Sequence, residues 1–212
     1  MRPVRPFVAV MKYTWTPNGA GVQVAAPGAV YLMTNLPRGS SEDQRHTGET
    51  LAYKLGIDLE VQVVSAQFAY ANKSTHVMWL VYDAQPSGRL PATSDIFDYV
   101  EGFQYIPHVW KVRRDLCHRY IVKRKWMINL ETNGASFGVD FSSRPVTAPK
   151  YRASFHKFVK RLGVRTEWKN SDTGEIGDIQ RGALYLVVAP GNNVPINIRG
   201  YFRLYFKSVG NQ

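Results

Sequence analysis

Cysteine is almost absent: Cys117 stands alone in 212 residues. No intrachain disulfide can form, and no second cysteine exists to complete a four-ligand zinc site with His118 and the nearby His108. Cys117 therefore reads as a small buried thiol beside a surface histidine, in a reducing compartment such as cytoplasm or nucleus. No run of 18 apolar residues occurs, which excludes a transmembrane helix. The short apolar piece within MRPVRPFVAVMKYTWTPNG lacks the length and cleavage site of a secretory signal. Amphipathic helical periodicity, internal repeats and low-complexity tracts are missing. So are G-x-x-x-x-G-K-[ST], G-x-S-x-G, and H-x-E paired with a cysteine cluster. Glu42/Asp43 and Asp95/Asp98 are the acidic pairs from which a metal-dependent nuclease could be argued, but both sit beside turns, where carboxylates commonly solvate or cap. His46, His76 and His156 are isolated and expected to be structural. No enzyme activity and no cofactor are expected.

Acidic residues are scarce relative to basic ones, 16 against 27, for a net charge of +11. The excess is local. Residues 109–126, VWKVRRDLCHRYIVKRKW, net +6, residues 150–169, KYRASFHKFVKRLGVRTEWK, net +6, and the rest of the chain sums to −1. In both stretches cations alternate with Tyr, Phe, Trp and Val, a pattern that builds packed strands with charge on one side. A phosphate backbone is held by Lys and Arg, and unpaired bases stack on aromatic rings, so the combination points to single-stranded nucleic acid. The candidate contacts are Lys111, Arg113, Arg114, Arg119, Lys123, Arg124 and Lys125 in the first stretch, Lys157, Lys160 and Arg161 in the second, and Arg2, Arg5 and Lys12 near the N-terminus. The competing reading is a solvated charged face whose rings belong to the core.

A chain of this length with 44% hydrophobic and 13% aromatic residues can bury a substantial core. Residues 1–50, interrupted by Pro3, Pro6, Pro17, Pro27 and Pro37, read as an extended arm and lead-in, with strand-like pieces at Gly21–Ala25 and Ala29–Met33 pairing weakly within it. Residues 51–212 read as one domain. Ile57, Leu59, Val61 and Val63 alternate with Asp58, Glu60 and Gln62 as a half-buried strand requires. Val77–Tyr82 and Ala183–Ala189 are apolar throughout, as in strands covered on both sides. Ser94–Tyr99 offers a helical turn with Ser94 as N-cap. Along Tyr120–Ile128, strict alternation puts Tyr120, Val122, Arg124, Trp126 and Ile128 on one face, and Arg119, Ile121, Lys123 and Lys125 on the other. Further strands are expected at Ala153–Val159, Val164–Trp168 and Ile196–Val209. In the last, Phe202, Leu204 and Phe206 point inward, and Tyr201, Arg203, Tyr205 and Lys207 form an outer face suited equally to nucleic acid or to protein. Loops such as Pro86–Pro91 and Asn133–Pro149 are expected at exterior or inter-subunit surfaces. Many aromatic and β-branched strands with long, uneven loops predict an all-β, eight-stranded antiparallel jelly-roll sandwich with an extended N-terminal arm.

The segments QRHTGETLAYKLGIDLEV, VMWLVYDAQPSG, VWKVRRDLCHRYIVKRKWMINLETNG, FHKFVKRLGVRTEWKN, IQRGALYLVVAPGN and RLYFKSVGNQ, in this order, resemble the geminivirus coat protein, most closely its mastrevirus type. The resemblance runs from about Asn35 to Gln212. It implies a jelly roll that assembles as a homo-oligomer, pentamers in a closed shell, into twinned incomplete icosahedra around circular single-stranded DNA. It also implies a virion location with passage through host nucleus and cytoplasm, and partners that include a nuclear import receptor, a viral movement protein and an insect vector receptor, but no membrane. One departure is visible: the family usually begins with a longer arm dense in Lys and Arg, whereas only Arg2, Arg5 and Lys12 occur in these first twenty residues. No localisation signal is assigned to that segment. The arm of residues 1–35 is expected to order only against neighbouring subunits or DNA. A non-assembling single-strand binding protein has the same chemical requirements and stands as the alternative.

Overall fold

The computed structural model describes residues 9–14, 21–68, 70–99, 102–134 and 150–209, the first of these segments by its backbone alone. Among them are twelve strands: β1 (Ala9–Thr14), β2 (Val22–Val24), β3 (Ala29–Leu32), β4 (Glu49–Val63), β5 (Ala71–Asp83), β6 (Phe97–Asp98), β7 (Lys111–Val112), β8 (Tyr120–Asn133), β9 (Arg152–Trp168), β10 (Ile179–Arg181), β11 (Ala183–Ala189) and β12 (Ile196–Val209). Two sheets carry the fold. The first runs β1-β12-β4-β9-β10 with β2 also on β12, and the second runs β3-β11-β5-β8.

The pairing is nested. β2 pairs with β12, β3 with β11, β4 with β9 and β5 with β8, all antiparallel. The chain thus folds back on itself as one long hairpin, and successive pairs fall alternately into the two sheets. That is a jelly-roll sandwich. Its core is made by the alternation expected from the sequence: Ile57, Leu59, Val61 and Val63 from β4, and Phe202, Leu204 and Phe206 from β12, are all buried.

The two sheets differ on their outer sides. The second sheet is roofed by the chain's own connection between β5 and β8, where Trp110 stacks on Trp79 (5.7 Å, 4°) and on Tyr99 (4.3 Å), with Phe97 4.7 Å from Trp79. This roof explains why β11 is buried along its whole length. Nothing comparable covers β12, β4 and β9 among the described residues, and the outward side chains of these strands remain at least partly open, Gly56 apart.

Five local expectations are corrected. β2 and β3 pair not with each other but with β12 and β11, and Val24, Met33 and Leu36 are buried. Residues 21–35 are thus ordered on the chain's own sheets rather than only against neighbours or DNA, because their apolar side chains find partners near the far end of the same sequence. Residues 153–168 form one strand rather than two, bent at a bulge: Ala52 faces Val164 and Lys54 faces Lys160, so residues 161–163 oppose Tyr53 alone. The helical turn spans Thr93–Ile96 with Ala92 as its N-cap, whose N–H donates to the Asp95 carboxylate (2.9 Å). Cys117 is exposed, not buried. Most of the loop that follows Asn133 lies outside the described residues.

Candidate nucleic-acid interface

β8 is an edge strand of the second sheet, and β9 is nearly an edge of the first, since β10 meets it only at Trp168 and Glu167. The two lie side by side along one open edge of the sandwich. Trp126 of β8 meets Phe155 of β9 there in a T-shaped contact at 5.5 Å, closing the sheets together. Trp126 is only half-buried, so Trp126→Ala is expected to cost about 2 kcal/mol in urea unfolding, below the roughly 3–5 typical of a fully buried ring. An unchanged midpoint would mean that the ring does not hold the edge.

Strict alternation fails in β8. Leu80 pairs with Arg124 and Val81 with Val122, so Lys123 is an extra residue. The bulge reverses the facing of everything before it. Tyr120 and Val122 therefore share the face of Lys125, opposite to Arg124, Trp126 and Ile128.

The sequence-predicted cations fall into separate groups. Arg119 is held by the fully buried Asp83, to which its Nε and Nη2 donate at 2.9 and 3.0 Å. Arg113 pairs with Asp115 (3.0 Å), which holds that carboxyl below its usual range, mainly through the side-chain hydrogen bond. Lys111 lies opposite Asp98, and Arg114 shares a cleft with Asp98, Arg113 and Asp115. Lys125 donates to the His108 carbonyl at 2.7 Å, with its Nζ 5.9 Å from the Trp79 ring. Lys157, on the core side of β9, emerges at the open edge with its Nζ 5.6 Å from the Phe155 ring. Lys123, Arg124 and Arg161 are brought together where β8 and β9 meet. Lys12 lies in β1, opposite Arg203 in backbone register, while Arg2 and Arg5 lie outside the described residues.

The bare outer face of the first sheet forms rows across β12, β4 and β9. Tyr205, Lys54 and Lys160 make one row, Arg203, Gly56 and Phe158 the next, then Tyr201, Asp58 and His156, then Arg199, Glu60 and Ser154. The last two rows are internally compensated, with His156 on Asp58 (3.0 Å) and Arg199 on Glu60. The first two hold three cations, and none of the ion pairs among the described residues involves them. Phe158 is 52% exposed. Its ring passes 3.8 Å from where a side chain at Gly56 would begin, and meets Tyr205 edge-on at 5.9 Å.

Lys54 and Phe158 are the residues that sequence reasoning passed over. Lys54 carries a readable signal, because it shares the parity of Asp58, Glu60 and Gln62. Phe158 reads as a core residue because it is aromatic and precedes Val159, but it shares the parity of Ser154, His156 and Lys160, and register places it on their face.

The described residues define an all-β jelly-roll protein with one roofed sheet and one bare, basic sheet. The profile of the geminivirus coat protein/nuclear export factor BR1 family matches residues 1–212, and the chain belongs to that family. It is 49% identical over 193 residues to a capsid protein of Maize streak virus genotype C, covering 90% of this chain and 79% of that protein. It is 47% identical over 185 residues to the capsid protein of Chloris striate mosaic virus, covering 87% and 77%.

Proposed function

We propose that this coat protein self-assembles through pentameric capsomers into a twinned icosahedral shell around circular single-stranded DNA, with the bare face of β12, β4 and β9 turned toward the genome. The observation that carries this is the pair of rows in which Lys54, Lys160 and Arg203 surround the exposed Phe158 ring and Tyr205. Cations supply sequence-independent phosphate contacts, and the rings offer stacking platforms for unpaired bases. Packing many +11 chains side by side is repulsive, and an enclosed polyanion removes the repulsion, so shell and genome stabilise each other. Lys123, Arg124, Lys157 and Arg161 extend the basic surface around the edge, and the N-terminal cations Arg2, Arg5 and Lys12 belong to the same DNA-binding proposal. Nuclear shuttling, movement within the plant and insect transmission, with their receptors, belong to the same reading.

The triple variant Lys54→Gln/Lys160→Gln/Arg203→Gln is expected to reduce the log–log salt slope for oligo-dT binding by about 2, at roughly 0.7 per lost phosphate contact. An unchanged slope would mean that the DNA lies elsewhere. Phe158→Ala should weaken binding by about 1–3 kcal/mol while barely moving the melting temperature, since half the ring is in solvent. Negative-stain images should show discrete pentamers and twinned particles; a monomer coating DNA would instead identify a non-assembling single-strand binder.

A further inference from the structure

The geometry points to a discrete phosphate-group site in the crevice where the bulges of β8 and β9 face each other, built by Lys123, Arg124 and Arg161. The crevice measures about 240 Å³, and Val159 and Leu162 complete its lining. It is separate from the bare face, since it opens on the edge between the two sheets. The inference rests on the DNA reading above only for its natural ligand, a backbone phosphate.

Three features converge. Each strand departs from regular pairing at this point, β8 by the extra Lys123 and β9 by residues 161–163. Bulges re-aim side chains, and here both sets of cations are directed into one gap. Next, Arg161 holds φ +55°, a backbone conformation that side-chain-bearing residues rarely adopt. Glycine would serve that backbone with less strain, as Gly163 does two residues on at φ +61°. An arginine kept there keeps a guanidinium at the crevice. Finally, none of the ion pairs among the described residues involves these three cations, and the apolar side chains of Val159 and Leu162 are nearly buried, which strengthens attraction for an anion.

Existing contacts orient part of the site. Arg124 Nη1 donates to the Lys123 carbonyl at 2.7 Å, and Lys123 Nζ stands 5.3 Å from the Tyr82 ring. The remaining guanidinium donors of Arg124 and Arg161 are suited to the forked pairing that arginine makes with phosphate oxygens. Charged side chains on an edge strand also prevent strand-to-strand aggregation. That role needs only charge along β8, and does not require an arginine from the other sheet in a left-handed backbone.

The test is melting of the full chain in inorganic phosphate, or in the dinucleotide dTpT, against chloride at matched ionic strength. Phosphate is expected to raise the melting temperature above its value in chloride. Arg161→Gly should weaken that effect at least tenfold without lowering the melting temperature of the ligand-free protein, because glycine suits the backbone; Arg124→Gln should weaken it similarly, and Arg89→Gln, on the exposed turn after β5, should leave it intact. Stabilisation by dTpT as well identifies a phosphodiester site, and stabilisation by inorganic phosphate alone identifies a free-anion site; either supports the crevice. No advantage of phosphate or dTpT over chloride, or full retention in Arg161→Gly, overturns it. If the crevice fails while the bare-face triple variant still flattens the oligo-dT salt slope, the DNA reading stands without it. An intact crevice with an unaltered slope in that triple variant sinks the bare face alone.

Discussion

Replacing Arg119 with methionine is expected to destabilise the protein by roughly 3–5 kcal/mol, the usual consequence of removing one partner from a buried ion pair. The Asp83 carboxylate has no solvent exposure. It accepts both Arg119 hydrogen bonds, one from the Tyr185 hydroxyl at 3.2 Å and one from the Gln85 backbone N–H at 3.0 Å. Its charge is felt nearby: burial first, then Asp83, pushes the Tyr120 hydroxyl up to about 12 and raises that of Tyr185. Without the guanidinium, a buried anion keeps two neutral donors and loses its counter-charge. The double variant Arg119→Met/Asp83→Leu should recover part of the loss, since it removes the stranded charge as well. Urea unfolding of the single and double variants measures both values. A wild-type midpoint for Arg119→Met would show that water reaches Asp83. The pair also explains why a cation predicted to meet DNA is better regarded as scaffold: it joins the start of β8 to the end of β5.

Acidification is expected to weaken the fold through His76. This residue is fully buried in β5; its Nδ1 accepts the Gly191 N–H at 3.3 Å, and its Nε2 lies 2.7 Å from the Ser74 hydroxyl. Accepting at Nδ1 places the ring proton on Nε2, donated to Ser74. Burial lowers its pKa from 6.5 to about 4. In the unfolded chain His76 takes up a proton below pH 6.5, but in the folded chain only near pH 4. Between these values protonation favours unfolding. The contribution of His76 is therefore fully present above pH 6.5 and falls progressively until pH 4, by about 3 kcal/mol in all. A protonated Nδ1 could no longer accept from Gly191, whose backbone lies close against Thr75: a side chain at 191 would come within 2.2 Å of the Thr75 carbonyl oxygen. Urea unfolding at pH 4.5 and 7 should show the loss, and His76→Gln should make the profile flatter by that amount. Titration of His76 near pH 6.5 by NMR would contradict the account.

Much of this was legible in the chain. Alternation in Ile57–Val63 and Phe202–Phe206 gave the inward residues correctly, and the unbroken apolar runs at Val77–Tyr82 and Ala183–Ala189 marked strands covered on both sides. The concentration of cations between residues 109 and 169 identified the basic strands. Facing was lost where a bulge intervened, since one extra residue at Lys123 reverses parity and leaves no mark in composition. Neutralisation was equally hidden: Asp83 is 36 positions from Arg119 and stands just past the apolar run Val77–Tyr82.

By itself the amino-acid order determined the all-β class, the half-buried strands and the local excess of positive charge, because these depend on periodicity and composition within ten or twenty residues. Tertiary structure alone decided which strands are neighbours, which sheet is roofed, and which cations meet. Lys54 and Lys160 stand opposite each other, and Lys123 shares a crevice with Arg161, only because nested pairing joins distant segments. Charge becomes a site when backbone register sets its distance from other charge, and register is a property of two strands rather than one.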